Sequence, residues 1–320
     1  MPEELNIVDA LEARAKRREE RREFFRAFGA AAVVTGGVAL AGGFSPLSAQ
    51  TAPSDADVFN FALNLEYLEA TFYSQAVFGT DLDAAQITGT TAAGTVNRAG
   101  AKQVTFTDPV VAQLAREIAT NERLHVQFVR QTIGTAAISR PSLDISVGPN
   151  SAFSQAARAA GLIGANQSFD PYANDENFLL GAFIFEDVGV SAYKGAAPLI
   201  SNKTFLEAAA GILAVEGYHA SILRTTLYQK GMSAPALVAG TEAISKARDD
   251  LDGMRDLDQG VAMVGDASNI VPADDDGIAF SRTTGQVLNI GYLNRAAVSS
   301  GGFFPNGVNG SSALRSSAAN

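Results

Sequence analysis

The sequence predicts an all-α protein built on a four-helix bundle with a long crossover connection. Four segments repeat apolar residues at the three- and four-residue spacing of one helix face, and polar or glycine-rich stretches separate them. The connection between the second and third segments is long, at residues 134–174, whereas only Ile200 and Ser201 join the third to the fourth. A long crossover in mid-chain beside a short link is typical of crossover bundles.

Each of the four predicted bundle helices carries a glutamate within an otherwise apolar face. The helices are predicted at about residues 54–78, 108–133, 175–199 and 202–230. Ser54 is the predicted N-cap of the first, and Pro109 lies at a first-turn position of the second. The interrupting glutamates are, in chain order, Glu66, Glu122, Glu186 and Glu216.

Residues 231–320 are predicted to extend the bundle with further helices and a loop. Helical patterns cover about residues 234–251 and 283–293, and the glycine-rich GGFFPNGVNG near the C terminus is predicted as a loop. The mature chain therefore divides into a bundle at residues 54–230 and a C-terminal helical extension with a loop tail at residues 231–320.

Residues 1–49 have the layout of an export signal. The basic RREFFR at 21–26 leads into an uncharged stretch at 27–43, and small residues then place cleavage after Ala49. RREFFR resembles the twin-arginine signal of bacteria, although Glu20 stands where Ser or Thr usually precedes the pair. This predicts passage through the twin-arginine export machinery to the periplasm or the cell exterior. An uncleaved membrane anchor is the alternative, since the 17 uncharged residues match a short spanning helix.

Composition excludes several kinds of partner and site. The formal net charge is −10 and no Lys/Arg-rich run follows the first 26 residues, which argues against a nucleic-acid partner because phosphate binding needs a basic surface. Cysteine is absent, so disulfides, thiolate metal sites and cysteine nucleophiles are excluded. Any metal must therefore be held by oxygen and nitrogen ligands.

Both histidines of the chain follow a glutamate by three positions. The pairs are Glu122 with His125 in NERLH and Glu216 with His219 in VEGYH. Residues three apart project from the same side of a helix, so each pair can present two ligands to one point. With 15 glutamates in 320 residues, both pairings would arise together by chance about once in 400 cases. The repeated spacing predicts two matching halves of a metal site.

Four glutamates directed into one core require neutralisation. Buried carboxylates are costly and repel one another, and no lysine or arginine lies on the four apolar stripes. Two divalent cations would balance the four charges and leave the histidines neutral. One glutamate from each of two helices and Glu-x-x-His from each of two others is the ligand set of dinuclear carboxylate proteins. The predicted ligands of two iron or manganese ions, with zinc as the alternative metal, are Glu66, Glu122, His125, Glu186, Glu216 and His219.

Three further residues fall near the predicted ligands. Tyr73 and Tyr193 lie two helical turns after the first and third glutamates, where they could hydrogen-bond the ligands or relay electrons, or could be ordinary core tyrosines. Glu69 lies three positions after the first glutamate, and its counterpart in the second half of the chain is Gly189. We interpret Glu69 as a neighbour of the site or a surface residue rather than as a ligand.

The motifs LNLEYLEATFY, NERLH, FEDVGVSAY and VEGYH, in this order, resemble the ferritin-like domain family, which includes the desiccation-related proteins and many exported bacterial proteins. The resemblance covers about residues 55–230, and FSRTTGQVLNIGYLN with GGFFPNGVNG resembles the C-terminal region of the same group. It implies a ferritin-like four-helix bundle with a dinuclear carboxylate site, and it says more about fold and site than about reaction.

Three functions are compatible with this site. The first is an exported dinuclear metal protein acting in stress protection by redox chemistry on dioxygen, peroxide or Fe(II), of a ferroxidase-like or manganese-catalase-like kind. The second is a non-catalytic envelope or desiccation-stress protein whose metals only hold the bundle together. The third is a metal-free ligand-binding bundle with protonated or hydrated carboxylates. An oligomer is compatible with the sequence, but a ferritin-type cage cannot be inferred from it.

Overall fold

The structure, a computed structural model, describes residues 52–320. The predicted signal sequence and the alternative membrane anchor fall in residues 1–51, outside the described residues. The described chain contains the following helices: α1 (Asp55–Phe78), α2 (Pro109–Ile133), α3 (Ala152–Ala159), α4 (Asp175–Ala196), α5 (Lys203–Gly231), α6 (Pro235–Asp252) and α7 (Thr284–Tyr292). None of the helices in residues 52–320 is long and apolar enough to cross a membrane. The all-α prediction is confirmed.

Helices α1, α2, α4 and α5 form the bundle. The most extensive packing joins α1 to α2 and α4 to α5, and the two pairs meet through α1 against α4 and α2 against α5. Helix α1 begins after the predicted cap, Ser54, which forms a capping box with Asp57. Helix α2 begins with Pro109 in its first turn, as predicted, and the Asp108 side chain caps it by accepting hydrogen bonds from the backbone N–H groups of Val110 and Val111. The predicted crossover bundle is therefore confirmed.

The end of α4 differs from the prediction. The helical pattern extended to residue 199, but α4 ends at Ala196 and a 3₁₀ turn, Ala197–Leu199, follows. Pro198 explains the change, because proline has no N–H to donate and its ring clashes with the carbonyl four residues earlier.

The two long connections of the bundle touch each other. Strand β1 (Val96–Asn97) in the first connection pairs in parallel with β2 (Leu143–Asp144) in the second, and α3 follows β2. This pair is not predicted from the sequence, since two-residue strands are too short to show a periodic pattern.

The C-terminal extension packs against the bundle and completes its core. Helices α6 and α7 both contact α4, and α6 also contacts α5. The terminal loop is irregular, as predicted, but Phe303 and Phe304 within it are fully buried. The Phe303 ring centroid lies 4.9 Å from that of Phe185 on α4. Bundle and extension therefore share one hydrophobic core.

A buried ionic network also joins the extension to the bundle. One aspartate comes from α4 and one arginine from α5, and the other members come from α6 and the segments that follow it. All are almost inaccessible to solvent, and their ion-pair distances range from 2.5 to 3.1 Å. The members are Asp187, Arg224, Arg248, Asp252, Asp258 and Arg282.

Candidate metal centre

The six predicted ligands converge at the centre of the bundle. Each of the four bundle helices contributes one glutamate from its inward face, and α2 and α5 each add a histidine one turn later. Five of the six side chains are at most 1% exposed, and the sixth, His125, is 8% exposed. The amphipathic pattern explains this placement, because the glutamates occupy positions that the periodicity assigns to the core.

The ligands form two overlapping groups, and each group could hold a metal ion. Ligand atoms of Glu66, Glu122, His125 and Glu216 lie within 4.8 Å of one another, as do those of Glu122, Glu186, Glu216 and His219. Glu122 and Glu216 belong to both groups. Glu66 and His125 complete the group at one end of the cluster, and Glu186 and His219 complete the group at the other end. The cluster thus has two shared carboxylates in the middle and one terminal carboxylate at each end.

The distances between the histidine nitrogens and the carboxylate oxygens show that these ligand atoms face a common point. His125 Nδ1 lies 3.3 Å from both Glu66 Oε2 and Glu216 Oε1. At the other end, His219 Nδ1 lies 2.9 Å from Glu122 Oε1 and 3.5 Å from Glu186 Oε2. Both imidazoles therefore direct the same nitrogen into the cluster.

The oxygen and nitrogen atoms of the cluster are better suited to bind a metal than to hydrogen-bond one another. Within residues 52–320, eight buried oxygen and nitrogen atoms of these six side chains have no hydrogen-bond partner, including both carboxylate oxygens of Glu122 and of Glu216. Unpaired buried polar atoms are destabilising and uncommon in folded proteins. Six carboxylate oxygens and two imidazole nitrogens match the preferences of divalent iron, manganese or zinc. The cluster is therefore suited to bind metal.

Comparison with known proteins identifies the family. Residues 54–229 match the ferritin-like domain. The chain belongs to the ferritin-like domain family. It is 28% identical over 274 residues to the ferritin-like catalase Nec2 of Nesocodon mauritianus, covering 82% of this chain and 86% of the relative. It is 30% identical over 273 residues to the desiccation-related protein PCC13-62 of Craterostigma plantagineum, covering 81% and 84%. The resemblance predicted from the motifs is confirmed.

Burial and mutual repulsion govern protonation of this ferritin-like cluster. Burial raises the pKa of Glu66 and Glu186, and the neighbouring histidines offset part of that effect. Burial and the charge of Glu122 raise the pKa of Glu216 well above its usual range. Burial acts on Glu122 as well, but its contacts with both histidines outweigh it and lower the pKa of Glu122 to about 2.

The histidines hold protons when no metal is bound. Burial disfavours the charged imidazole of His219, but Glu186 and Glu122 outweigh burial and raise its pKa to about 11. Burial also disfavours the charged imidazole of His125, but the neighbouring glutamates, above all Glu66, outweigh burial and raise its pKa. A metal that binds Nδ1 must displace these protons, so metal binding to the cluster releases protons.

Two tyrosines hold the terminal carboxylates from across the bundle. Tyr73 on α1 donates a hydrogen bond to Oε1 of Glu186 on α4, and Tyr193 on α4 donates to Oε1 of Glu66 on α1. Burial and the nearby carboxylates raise the pKa of both hydroxyls well above the usual range, so both stay protonated as donors. Each bond fixes one carboxylate oxygen and leaves Oε2 directed at the cluster without a partner.

Asn121 is a neighbour of the ligands that is not among the residues predicted from the sequence. Its side-chain amide lies 3.2 Å from Nε2 of His219, the ring nitrogen that is not directed into the cluster. A contact at the second ring nitrogen fixes the orientation of an imidazole ligand. A sequence signal did exist, because Asn121 precedes His125 by four positions and so shares its helix face.

Glu69 and Gly189 lie directly beside the cluster. Glu69 is buried, and burial followed by the charge of Glu216 raises its pKa well above the usual range. A Cβ atom at Gly189 would lie 2.2 Å from Oε2 of Glu216. Gly189 therefore leaves the space that this shared carboxylate occupies, and Glu69 is a neighbour of the site rather than a surface residue.

Substituting Gly189 with alanine is expected to displace Glu216 and lower metal content by about half or more, because a side chain that moves by 1 Å no longer meets the geometry that a ligand needs. Helix α4 itself should tolerate the change, since alanine favours helix more than glycine does. Elemental analysis of the purified variant measures the effect. Gly217→Ala on α5 is the control, because no atom lies within 4 Å of a Cβ placed there. Equal metal content in the two variants would contradict the proposed crowding.

Proposed function

We propose that this ferritin-like protein holds two iron or manganese ions at the cluster and uses them to disproportionate hydrogen peroxide. The observation that carries the proposal is the sharing of Glu122 and Glu216 between two donor groups, an arrangement suited to two ions held side by side. Such ions, when bound, supply a two-electron redox couple next to an oxygen substrate. Similarity to a relative named as a ferritin-like catalase favours peroxide over other oxygen species.

The reaction balances without another reactant. One peroxide is oxidised to dioxygen and gives up two electrons and two protons, and a second peroxide accepts them to form two waters. The chain contributes four carboxylates that balance the charge of two divalent ions, and hydrogen bonds from Tyr73 and Tyr193 that fix the terminal pair. The Glu69 carboxyl, whose pKa burial raises, can hold a proton beside the site.

The test is oxygen evolution from the metal-loaded chain. The purified protein is reconstituted without oxygen with Mn(II), Fe(II) or Zn(II), and its metal content is measured before peroxide is added. We expect about two ions per chain, and one dioxygen per two peroxides with manganese or iron but not with zinc. Oxidation of Fe(II) by dioxygen is followed separately. Protein loaded with manganese or iron that evolves no oxygen would contradict the proposal.

A non-catalytic role is the second candidate. Almost complete burial of the ligands favours a site that stabilises the bundle, and one relative is named as a desiccation-related protein. Such a protein would lose stability when a chelator removes the metal and would show no turnover. The oxygen-evolution assay separates the two functions, because chelation should destabilise the protein in both cases.

We infer that the protein is exported through the twin-arginine pathway to the periplasm or the cell exterior. The supporting observation is the RREFFR motif at 21–26. Replacing Arg21 and Arg22 together with lysine should keep the protein in the cytoplasm at its uncleaved size, whereas the same exchange at Arg17 and Arg18 should leave export unchanged. Fractionation and immunoblotting measure the outcome. Export of the first variant, or retention of the unaltered protein in membranes, would contradict this inference.

A further inference from the structure

A small apolar cavity lies beside the cluster, on the side of Glu69 and Gly189. Helices α1 and α4 form its inner walls, and α7 with the terminal loop forms its outer wall. Leu65 and Gly291 are the lining residues that keep partial exposure, so the cavity lining reaches the surface there. The C-terminal extension therefore covers one side of the candidate metal centre.

The chemistry of the lining selects for neutral molecules. Glu69 is the single lining residue with a polar side chain, and this side chain is buried. A hydrated cation such as Fe(II) would lose its water shell in such surroundings at a high free-energy cost. A small neutral molecule that can hydrogen-bond one carboxyl group meets no such penalty.

The size of the cavity sets a second limit. About 30 Å³ is open to the centre of a water-sized molecule, which is room for one or two such molecules. Hydrogen peroxide has this size, but an alkyl hydroperoxide with a branched carbon chain does not. The cavity thus distinguishes peroxides by volume.

Gly189 on α4 brings the cavity close to the cluster. Gly189 lines the cavity, and a Cβ there would lie 2.2 Å from Glu216 Oε2 and 3.6 Å from Glu69 Oε1. The carboxylate of Glu216 and the carboxyl group of Glu69 therefore both lie close to Gly189. A molecule that binds Glu69 in the cavity is next to the candidate metal centre.

We propose that this cavity is the binding and access site for hydrogen peroxide, with Glu69 as its polar contact and with Val287, Phe304 and their neighbours setting the size limit. The proposal rests on the proposed function and names the substrate that the same site admits. Fe(II) and bulky hydroperoxides are excluded from this route.

The first test fills the cavity. Val287→Phe on α7 and Leu65→Phe on α1 narrow it from opposite walls, and Val110→Phe, at a position that is 58% exposed, is the matched control. With manganese or iron content equal to that of the unaltered protein, we expect peroxide turnover to fall by roughly tenfold or more in the first two variants. Glu69→Leu should raise the KM for peroxide. Unchanged turnover in both narrowed variants would overturn the proposal.

The second test does not depend on activity. Xenon binds apolar cavities, so crystals of the metal-free protein under xenon pressure should show it in this cavity, and crystals of the Val287→Phe variant should not. Phe304→Ala should raise turnover of tert-butyl hydroperoxide relative to hydrogen peroxide. Absence of xenon from the unaltered protein would overturn the cavity assignment. Xenon binding without any peroxide turnover would overturn both the peroxide site and the proposed function, whereas peroxide turnover that ignores the cavity variants would overturn only the site.

Discussion

Under the proposed function, replacement of Glu122 by alanine is expected to remove both metal ions and with them nearly all peroxide turnover. Its carboxylate belongs to both donor groups, and Oε1 lies 2.9 Å from Nδ1 of His219 and 3.6 Å from Nδ1 of His125. Loss of a shared ligand weakens the binding of both ions. We therefore expect metal content near zero and turnover lower by about a hundredfold or more. Elemental analysis and oxygen evolution after reconstitution measure the two effects.

Glu117→Ala is the matched control for this variant. Glu117 lies on the same helix, but its side chain is exposed and outside both donor groups. It should retain the metal content and turnover of the unaltered protein. Circular dichroism and thermal unfolding of the metal-free proteins establish that both variants fold. Two ions per chain in folded Glu122→Ala would show that Glu122 is not a shared ligand.

The ligand helices could be predicted because their signals are local. Periodicity over 20 or more residues places Glu66 and Glu186 on apolar faces, and the spacing of Glu122 with His125 repeats at Glu216 with His219. Helix geometry alone then directs each pair to one point. No knowledge of the packing was needed for this step.

Contacts across the bundle could not be predicted in the same way. The faces of Tyr73 and Tyr193 were evident from the sequence, but their partners depend on the approach of α1 to α4, which periodicity does not fix. The sequence therefore left open whether these tyrosines are ordinary core residues or hydrogen-bond the ligands. Side-chain hydrogen bonds over more than 100 positions in the chain are set by packing rather than by local pattern.

The role of residues 231–320 also depends on packing. Arginine usually stays at the surface, but Arg224 and Arg248 are both at most 2% exposed because the extension folds over them. Glycine and phenylalanine near the C terminus predicted a loop without indicating that Phe303 would enter the core. Burial of this kind arises only when two distant segments meet.

The largest effect on stability is expected at Asp258. Its two oxygens bind Arg248 at 2.5 Å and Arg282 at 2.8 Å, and all three side chains are at most 4% exposed. Asp258→Ala leaves two buried guanidinium groups short of a counter-charge. Removing one partner from a buried ion pair costs about 3–5 kcal/mol in the free energy of unfolding. Chemical denaturation of the metal-free protein, followed by circular dichroism, measures the loss.

Asp250→Ala provides the comparison, because Asp250 forms an exposed pair with Lys246 at 2.7 Å on α6. Its loss should cost less than about 1 kcal/mol, since solvent screens such pairs. The contrast also tests how the extension supports the site. Arg248 binds both Asp258 and Asp187, and Asp187 follows Glu186 directly in α4. If the network positions α4, metal content should fall in Asp258→Ala and stay unchanged in Asp250→Ala. Lower stability with full metal content would show that the network holds the extension but not the ligands.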